Sequence, residues 1–526
     1  MRQQVVLKAM LDNNAITQKE RAEALNAPLP VAKSVKQDSG YLHFVFDELT
    51  SLSEKYHFKI GGKVEIFTFL DQTIQAKMEE IAEAHSETDK TFLVADKENN
   101  GFKACVSTVG NIPRLPGSII KPLLVYAPAM EENLLSPATP ILDEKINYNG
   151  YSPENYDGTY HGYVSVRECV EKSLNVPAVR ILSSLTVHKG AKYLEKLGLP
   201  VEAEDKSLAL ALGGMKNGYT LKDIVSAYSS LQNDGIYQPC TFISSVAING
   251  VTVYKKPKTG QKVFSSATAS LMTDILKSTA KNGTAKKLRG VPFEVAAKTG
   301  TVGSNKGNTD AYALSYTTRD CAAVWLGNID NSKIEHTGGG EPCTILRKIN
   351  EAVYSIYQTR QQSIPDFQLD KTIKKVQLDK PAYYDTHTLL LADENSPQEY
   401  RLSELFKNSE IPLNKSTSFT SPSIIPPKLS LSNNTVKIAF DNRFPHYYTY
   451  KIERYDYVTH TTLYNGKFTS EFCDNSLQED KNYIYTVTPI FNGKEGTPIT
   501  LPTISTRKGE KAELNQEILS KEWWEY

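Results

Sequence analysis

Apolar and polar residues follow two different periodic patterns along this 526-residue chain. Apolar residues recur every three or four positions through most of residues 118–233, which is typical of helices. Strand patterns lie on both sides of this block, at residues 91–108 and 294–328. The pattern therefore predicts an α+β fold in which an antiparallel sheet is flanked by a helical block.

The N-terminal third contains shorter elements. Residues 2–29 are predicted to form two short helices separated by an Asn-Asn turn, and Thr17 with Glu20 has the spacing of a capping box at the second one. Residues 41–70 are predicted to be strand and loop. A helix is predicted to follow over residues 71–84.

The C-terminal third has a different character. Residues 416–427 are rich in Ser and Pro, which indicates a linker. From residue 428 to residue 506, short strands rich in Tyr, Val and Thr alternate with Asn, Gly and Pro turns. This pattern predicts a C-terminal all-β sandwich, followed by a charged helix or tail over residues 507–526.

Composition excludes several classes of function. Lys plus Arg and Asp plus Glu are both 60, so no net positive charge points to a nucleic-acid partner. The six cysteines are scattered without a CxxC pair, and no histidine cluster has metal-ligand spacing, so neither a disulfide framework nor a metal site is expected. No window of ~18 apolar residues and no signal-peptide pattern occurs, so neither a transmembrane segment nor an export signal is expected in this chain.

One stretch places a serine and a lysine at the head of an apolar segment, "PGSIIKPLLVYAPAM" over residues 116–130. At this spacing, Ser118 and Lys121 share one face of a helix. Burial in so apolar a helix would lower the pKa of the lysine, which could then act as a base. The alternative is a helix-capping serine and a lysine that reaches solvent.

Two further motifs follow along the chain. "EKSLN" holds Ser173 and Asn175, and "AAKTGTVG" holds Lys298 at the end of an apolar run that is predicted to be a strand. Copies of both motifs occur elsewhere. The Ser-x-Asn copy at residues 432–434 and the Lys-Thr-Gly copy at residues 258–260 are both predicted to be turns.

The order Ser-x-x-Lys, Ser-x-Asn, Lys-Thr-Gly is found in β-lactamases and penicillin-binding proteins. The flanking sequences "YSPENYDGTYHGYVSVRECVEKSLNVPAVRIL" and "AAKTGTVGSNKGNTDAYALSYTTRDCAAVWLGN" are more specific. Together they resemble the transpeptidase domain of bifunctional (class A) penicillin-binding proteins over roughly residues 60–360. From "YTYKIERYD" and "NYIYTVTPIFNGKEG", the sandwich resembles a fibronectin type III domain.

The resemblance implies a serine acyl-transfer mechanism that needs no metal or organic cofactor. Ser118 would be the nucleophile that attacks the bond between two D-alanines of a cell-wall stem peptide, and Lys121 would accept its proton. Ser173 would relay the proton to the leaving nitrogen. Asn175 would hold Lys121, and Lys298 would help to lower the pKa of that lysine.

The resemblance also implies the substrate-binding residues. Lys298, Thr299, Gly300 and Thr301 would bind the terminal carboxylate, and the backbone N–H groups of Ser118 and Thr301 would form an oxyanion hole.

Peptidoglycan stem peptides and β-lactams are the expected partners. Cell-wall glycan is a further candidate partner for the sandwich, where tyrosines 447, 448 and 450 form either a glycan-binding face or cross-strand packing pairs.

The resemblance also assigns the parts of the chain and a location. The expected location is extracytoplasmic, at the cell membrane or cell wall. The expected parts are a remnant of glycosyltransferase helices (1–30), a linker or pedestal (31–59), the transpeptidase domain (60–362), a small mixed segment (363–415), a linker (416–427), the fibronectin type III-like sandwich (428–506) and a charged tail (507–526).

Three alternatives to a D,D-transpeptidase stay open at this point. A D,D-carboxypeptidase would use water as the acceptor, and a non-catalytic sensor would only bind penicillin. A β-lactamase would need a carboxylate that activates water. Glu168 and Glu171 are near Ser173 in sequence, but a solvated helix face explains them better.

Overall fold

The computed structural model describes residues 2–13, 15–26, 40–85, 87–304, 307–441, 447–467 and 470–507. The predicted tail lies outside the described residues from residue 508 onward, as do residues 31–39 of the predicted linker. The α-helices of the described residues are α1 (Arg2–Asp12), α2 (Gln18–Asn26), α3 (Tyr41–Lys55), α4 (Gln72–Glu83), α5 (Ala127–Glu131), α6 (Val166–Glu171), α7 (Asn175–Leu185), α8 (Val187–Lys196), α9 (Leu221–Gln232), α10 (Ser266–Asn282), α11 (Glu341–Thr359) and α12 (Lys380–Thr386).

The strands fall into several antiparallel sheets. The strands are β1 (Val64–Thr68), β2 (Asp89–Asp96), β3 (Phe102–Ser107), β4 (Pro113–Arg114), β5 (Pro140–Asp143), β6 (Gly162–Ser165), β7 (Tyr219–Thr220), β8 (Ile236–Tyr237), β9 (Ile243–Ile248), β10 (Val251–Lys255), β11 (Gln261–Lys262), β12 (Ala296–Ser304), β13 (Gly307–Tyr316), β14 (Asp320–Gly327), β15 (Ile373–Asp379), β16 (Arg401–Lys407), β17 (Lys428–Ser432), β18 (Thr435–Ala439), β19 (Thr449–Tyr455), β20 (His460–Lys467), β21 (Glu471–Asp474), β22 (Asn482–Phe491), β23 (Lys494–Glu495), β24 (Ile499–Thr500) and β25 (Ile504–Ser505).

The central sheet has five antiparallel strands in the order β12-β13-β14-β2-β3. All eight residues of β14 are buried, because both faces of the sheet are covered. Its odd-numbered residues from Cys321 to Trp325 pack in the core shared with the helical block, and its even-numbered residues from Ala322 to Leu326 pack in the core formed with α4 and α11. The predicted α+β class with a helix-flanked antiparallel sheet is confirmed.

The helical block covers one face of this sheet. Helices α5, α7, α8, α9 and α10 contribute to one large apolar core that also contains the odd-numbered face of β14. Strand β12 is left at the edge of the sheet, with β13 on one side only. One edge of the sheet is therefore available to face a cleft.

The prediction of strand and loop for residues 41–70 is wrong for its first half, where the chain forms α3. The buried residues of α3 are Tyr41, Phe44, Val45, Glu48 and Leu49, at the spacing of a helix. Aromatic and β-branched residues favour strands locally, but here the ring of Phe242 packs against the helix, with its centroid 5.0 Å from those of Tyr41 and Phe44. Tertiary packing therefore decides this element.

The segment 363–415 packs directly on the helical block. It contains the hairpin of β15 and β16 with α12 between the two strands. Glu404 of β16 accepts a hydrogen bond from Nε of Arg167 at 2.7 Å, and Lys407 donates to the carbonyl of Met130. The mixed segment is therefore anchored to α6 and α5 by charged side chains.

The C-terminal strands form two sheets around one core. Strands β17, β18 and β21 make one sheet, and β19, β20 and β22 make the other, which β23, β24 and β25 extend. Inward side chains from both sheets share an apolar cluster that includes Val436, Ile438, Ile452 and Val487. The predicted sandwich of short strands is present, and its likeness to fibronectin type III domains stays a prediction.

The tyrosines considered for a glycan face are used inside this sandwich. Tyr448 and Tyr450 are 2% and 1% exposed, so neither presents a ring to solvent. Tyr447 packs its ring against Tyr400 and Phe419, with centroids 4.7 and 5.1 Å away. Apolar packing thus uses all three rings, although Tyr447 packs on residues before the sandwich and not in a cross-strand pair, and the glycan-binding alternative is wrong for the two buried residues.

Among the described residues, no helix combines the length and the apolar character that crossing a bilayer requires. The same residues hold no group of three or more His, Cys, Asp or Glu side chains that could bind a metal ion.

Candidate active site

The segment that carries Ser118 and Lys121 is helical, as predicted, but it changes type along its length. A 3-10 turn over Gly117–Ile120 is followed by a π-helical turn over Pro122–Tyr126 and then by α5. Pro128 has no N–H to donate to the carbonyl four residues back, and the N–H of Ala127 donates to Pro122, five residues back. The sequence pattern predicts the buried helix but not this wider turn.

The serine turn lies close against the edge strand β12. A Cβ on Gly117 would lie 2.8 Å from the carbonyl oxygen of Thr301, which excludes a larger residue there, and a Cβ on Gly300 would lie in a tight contact, 3.1 Å from the backbone nitrogen of Ile119. Gly117 also has a φ of 53°, which favours glycine. This contact sets partly exposed Ser118 beside the Lys-Thr-Gly strand.

Lys121 is fully buried, and its amine contacts the Ser-x-Asn segment. Nζ donates to the carbonyls of Ser173 at 2.8 Å and Leu174 at 3.0 Å, and to Oδ1 of Asn175 at 2.7 Å. Burial lowers the pKa of Lys121 well below its ordinary value, and the charge of nearby Lys298 lowers it further. The alternative that Lys121 reaches solvent is therefore wrong.

Ser173 joins the two buried lysines. Its carbonyl accepts from Lys121, and its hydroxyl accepts a hydrogen bond of 2.8 Å from Nζ of Lys298. Lys298 is also fully buried and donates to the carbonyl of Thr299, and burial lowers its pKa to about 7. Ser173 has a φ of 57°, a left-handed conformation that orients its backbone and side chain toward different lysines.

Strand β12 places the remaining motif residues in a row. Thr299 is buried, and its hydroxyl donates to the hydroxyl of Thr284 at 2.6 Å. The hydroxyl of Thr301 accepts from the backbone N–H of Gly338 at 3.0 Å. Thr284 and Gly338 thus support this strand, and neither is predicted from the sequence to have a role. The signals that could have identified them are the sequence "NGTAKKL" around Thr284 and the run of three glycines that begins at Gly338.

Five predicted residues meet in one place: Ser118, Lys121, Ser173, Asn175 and Lys298. The copies of the motifs do not share it. Lys258 is exposed on the loop between β10 and β11, and residues 433 and 434 form the two-residue turn between β17 and β18. Burial and long-range contact therefore separate the motifs from their copies.

Comparison with known proteins agrees with this arrangement. Residues 90–351 match the family model described as penicillin binding protein transpeptidase domain. Penicillin-binding protein 1F of Bacillus subtilis is 34% identical over 242 residues, which are 45% of this chain and 34% of that protein. Penicillin-binding protein 1A of Clostridium acetobutylicum is 30% identical over 349 residues, which are 58% of this chain and 42% of that protein. The chain thus spans less than half the length of either relative.

Solved structures share the fold. The penicillin-binding protein PonA1 of Mycobacterium tuberculosis aligns with a TM-score of 0.55 at 20% identity, over 62% of this chain and 92% of that one. Penicillin-binding protein 1A of Haemophilus influenzae aligns with a TM-score of 0.58 at 16% identity, over 78% of this chain and 82% of that one. With the family match, they show that this chain carries a penicillin-binding protein transpeptidase domain.

Proposed function

We propose that the protein is a D,D-transpeptidase that cross-links peptidoglycan stem peptides through an acyl-enzyme on Ser118. One observation carries the proposal: two fully buried lysines, Lys121 and Lys298, converge on Ser173 beside the Ser118 turn. Buried lysines with lowered pKa values are suited to proton transfer near neutral pH. The chemistry of the cleft thus fits serine acyl transfer without a metal.

Acylation begins at Ser118. Its Oγ attacks the carbonyl carbon of the amide bond between the two D-alanines, while the neutral amine of Lys121 takes the hydroxyl proton. In the free protein the described contacts of Lys121 are to residues 173–175, and the contact to the serine hydroxyl is expected to form when substrate binds. The backbone N–H groups of Ser118 and Thr301 face the developing oxyanion.

Collapse of this intermediate releases the terminal D-alanine. Ser173, which accepts a hydrogen bond from Lys298, passes a proton to the leaving nitrogen as the C–N bond breaks, and receives in return the proton that Lys121 took from Ser118. An ester between Ser118 and the shortened stem peptide remains. The amine of a second stem peptide then attacks this ester, which forms the cross-link and frees the serine.

β-Lactams carry an amide in place of the D-alanyl bond, and the same attack opens their ring. A complex of PonA1 with penicillin V has been solved, and that protein shares this fold. We therefore propose that penicillin acylates Ser118 as well. An extracytoplasmic location at the membrane or wall follows from the same proposal, because stem peptides are cross-linked there.

A carboxylate that activates water, as a β-lactamase requires, is not supplied by Glu168. Its Oε2 accepts from the backbone N–H of Ser165 at 3.0 Å and from the hydroxyl of Ser165 at 3.1 Å, in a capping box at the start of α6. Glu168 thus stabilises the helix before the Ser-x-Asn motif. This role of Glu168 is consistent with the proposal of a long-lived acyl-enzyme.

The adduct with penicillin is expected to persist for many minutes, whereas a β-lactamase would release it within seconds. Each tenfold difference in lifetime corresponds to about 1.4 kcal/mol of barrier. Intact-mass spectrometry after penicillin is removed measures the decay, and peptide mapping is expected to place the adduct on Ser118. Rapid release of hydrolysed penicillin would contradict the proposal.

The acceptor distinguishes the remaining candidates. With a thioester substrate, turnover is expected to rise with the concentration of an added D-amino acid, and an amide product should form. A D,D-carboxypeptidase would release only the hydrolysed acid. A sensor would form the penicillin adduct but would not turn over the thioester.

Replacing Lys298 with alanine is expected to lower acylation by substrates that bear a terminal carboxylate by ~30- to 150-fold, or about 2–3 kcal/mol, because a charge-assisted contact is lost in a buried site. Burial lowers its pKa to about 7, and a bound carboxylate would raise that pKa and favour the ammonium form. The second-order rate constant of acylation, measured by stopped flow, checks this.

Lys258→Ala is the matched control for this prediction. Lys258 begins the other Lys-Thr-Gly sequence, but its side chain is exposed. Its removal is expected to change the activation free energy of acylation by less than about 1 kcal/mol. Equal losses in the two variants would mean that the wrong motif has been assigned to the carboxylate.

A further inference from the structure

Helix α7, which starts at Asn175, lacks a cap from its own N-cap residue. That residue is Leu174, whose side chain is buried and cannot accept a hydrogen bond. Oδ1 of Asn155 replaces the missing cap: it accepts from the backbone N–H of Asn175 at 2.8 Å and from that of Val176 at 3.2 Å. A loop twenty residues upstream thus holds the backbone of the Ser-x-Asn motif.

A fully buried carboxylate orients the Asn155 side chain. Nδ2 of Asn155 donates to both carboxylate oxygens of Asp143 at 2.9 Å, and also to the carbonyl of Thr159 at 2.8 Å. The NH2 group is the donor of the Asn155 side chain, so with that group on the carboxylate, Oδ1 faces the helix. Asp143 also accepts from the backbone N–H of His161 at 3.0 Å, and its carboxylate lies 2.8 Å from Nδ1 of the His161 ring.

The same loop fixes the side chain of Asn175. Nδ2 of Asn175 donates to the carbonyl of Glu154 at 2.7 Å, so its Oδ1 is free to accept from Nζ of Lys121. Adjacent residues of one loop therefore hold the backbone and the side chain of the residue that contacts the proposed base. A continuous chain of hydrogen bonds therefore links Asp143 to Lys121: the carboxylate contacts the Asn155 amide, this amide contacts the backbone of Asn175, and the Asn175 side chain contacts the lysine amine.

We propose that Asn155, oriented by Asp143, is a positioning residue for acylation that acts on Lys121 through Asn175. The inference rests on the proposed function, since it concerns the base of that reaction. A simpler cap, such as a serine at position 174, would set a polar side chain in the apolar core that Leu174 occupies. The remote cap keeps this core apolar and ties the helix start to the loop.

Asn155→Ala is expected to lower the acylation rate constant at saturating penicillin by ~10- to 100-fold, because small displacements of a proton acceptor are costly. The concentration for half-saturation should change by less than ~3-fold, since Asn155 does not touch the proposed carboxylate site. Stopped-flow acylation over a range of penicillin concentrations separates the two constants.

Asn147→Ala is the matched control. Asn147 lies in the same loop, and its side chain is also hydrogen-bonded, to Ser152 at 2.8 Å and to the backbone N–H of Gly150 at 2.8 Å. None of these contacts reaches Asn175. Both acylation constants of this variant are expected to stay within about twofold of the wild-type values.

A second variant separates positioning from stability. Asn155→Ala leaves the buried carboxylate of Asp143 with fewer hydrogen-bond donors, which destabilises the fold. The double variant Asp143→Asn/Asn155→Ala replaces that carboxylate but also alters its contact with the ring of His161, so part of the lost melting temperature should return while acylation stays as slow as that of Asn155→Ala. Recovery of the rate together with the stability would overturn the inference, as would a wild-type rate in Asn155→Ala.

Failure of the positioning role and failure of the proposed function give different results. If penicillin acylates the wild type but Asn155→Ala reacts at the same rate, the positioning role is wrong and the proposed function stands. If the folded wild type forms no adduct with penicillin, the proposed function is wrong, and the positioning role falls with it.

Discussion

Replacing Ser118 with alanine is expected to abolish covalent labelling by penicillin, a loss of at least about three orders of magnitude, since the attacking oxygen is removed. The reason is geometric. Ser118 lies on the turn that contacts β12, next to a fully buried lysine whose pKa is well below its ordinary value. Intact-mass spectrometry of the protein after incubation with penicillin measures the label.

Ser278→Ala is the control for this prediction. Ser278 and Lys281 have the same Ser-x-x-Lys spacing, but they lie on α10. The hydroxyl of Ser278 donates to the carbonyl of Ile275 at 2.7 Å, and Lys281 is exposed. Full labelling is expected in this variant. Label that persists in Ser118→Ala, or disappears in Ser278→Ala, would show that the nucleophile is a different serine.

The sequence predicts best those elements whose signal is local and strong. Strands β12, β13 and β14 appear where apolar runs are separated by polar turns, and β14 is buried along its whole length. Thr17 and Glu20 form the predicted capping box, in which the N–H of Thr17 donates to the Glu20 carboxylate at 2.7 Å. Such signals survive folding because neighbouring residues along the chain make the contacts.

Contacts between distant residues are less visible in the sequence. Asn155 caps a helix that begins twenty residues later, and the hydroxyl of Tyr312 donates to the carbonyl of Leu115 across 197 positions. No periodicity links such residues. The flank "YSPENYDG" points to the transpeptidase resemblance, but only the folded chain shows what its asparagine does.

The prediction of the element type fails where tertiary packing overrides the local preference of the residues. Helix α3 has the apolar spacing of a helix, but its aromatic residues also suit a strand, and the ring of Phe242, just before β9, decides between the two. The π-helical turn after Lys121 is a further example. It depends on Pro128 and on the helix that packs over it, where a Cβ on Gly190 would lie 2.9 Å from the carbonyl of Leu124.

The mixed segment 363–415 is tied to the site more closely than its composition indicates. Arg167 lies on α6, which ends two residues before Ser173, and its Nη2 donates to Asp274 at 2.7 Å while its Nε donates to Glu404. This cluster is mostly buried, so its hydrogen bonds fix the helix that leads into the Ser-x-Asn motif. The segment therefore stabilises the position of α6 and, through it, of the Ser-x-Asn motif.

Replacing Lys121 with methionine is expected to lower the rate constant of acylation by about 10³-fold, or about 4 kcal/mol, because the general base is lost. Methionine matches the length of the lysine stem and suits the apolar surroundings. The fold should survive, since removing a desolvated amine offsets part of the loss of its three hydrogen bonds. Circular dichroism and stopped-flow acylation measure the two effects separately.

Lys121→Arg tests whether the amine acts as a base or only as a positive charge. An arginine side chain keeps the charge and can still donate to residues 173–175, but it does not deprotonate at neutral pH. If Lys121 is the base, this variant should acylate as slowly as Lys121→Met. Substantial activity in Lys121→Arg would mean that charge alone suffices.

The pH dependence gives the same assignment by a second route. The neutral amine is the active form, so wild-type acylation should rise with pH and level off above the pKa of Lys121. Burial and the charge of Lys298 hold that pKa well below the ordinary 10.5, so the plateau should begin well below that pH. Lys281→Met, at the exposed lysine of the other Ser-x-x-Lys pair, should keep both the rate and this profile. A wild-type rate that still climbs through pH 10 would contradict the role of Lys121 as a base with a lowered pKa.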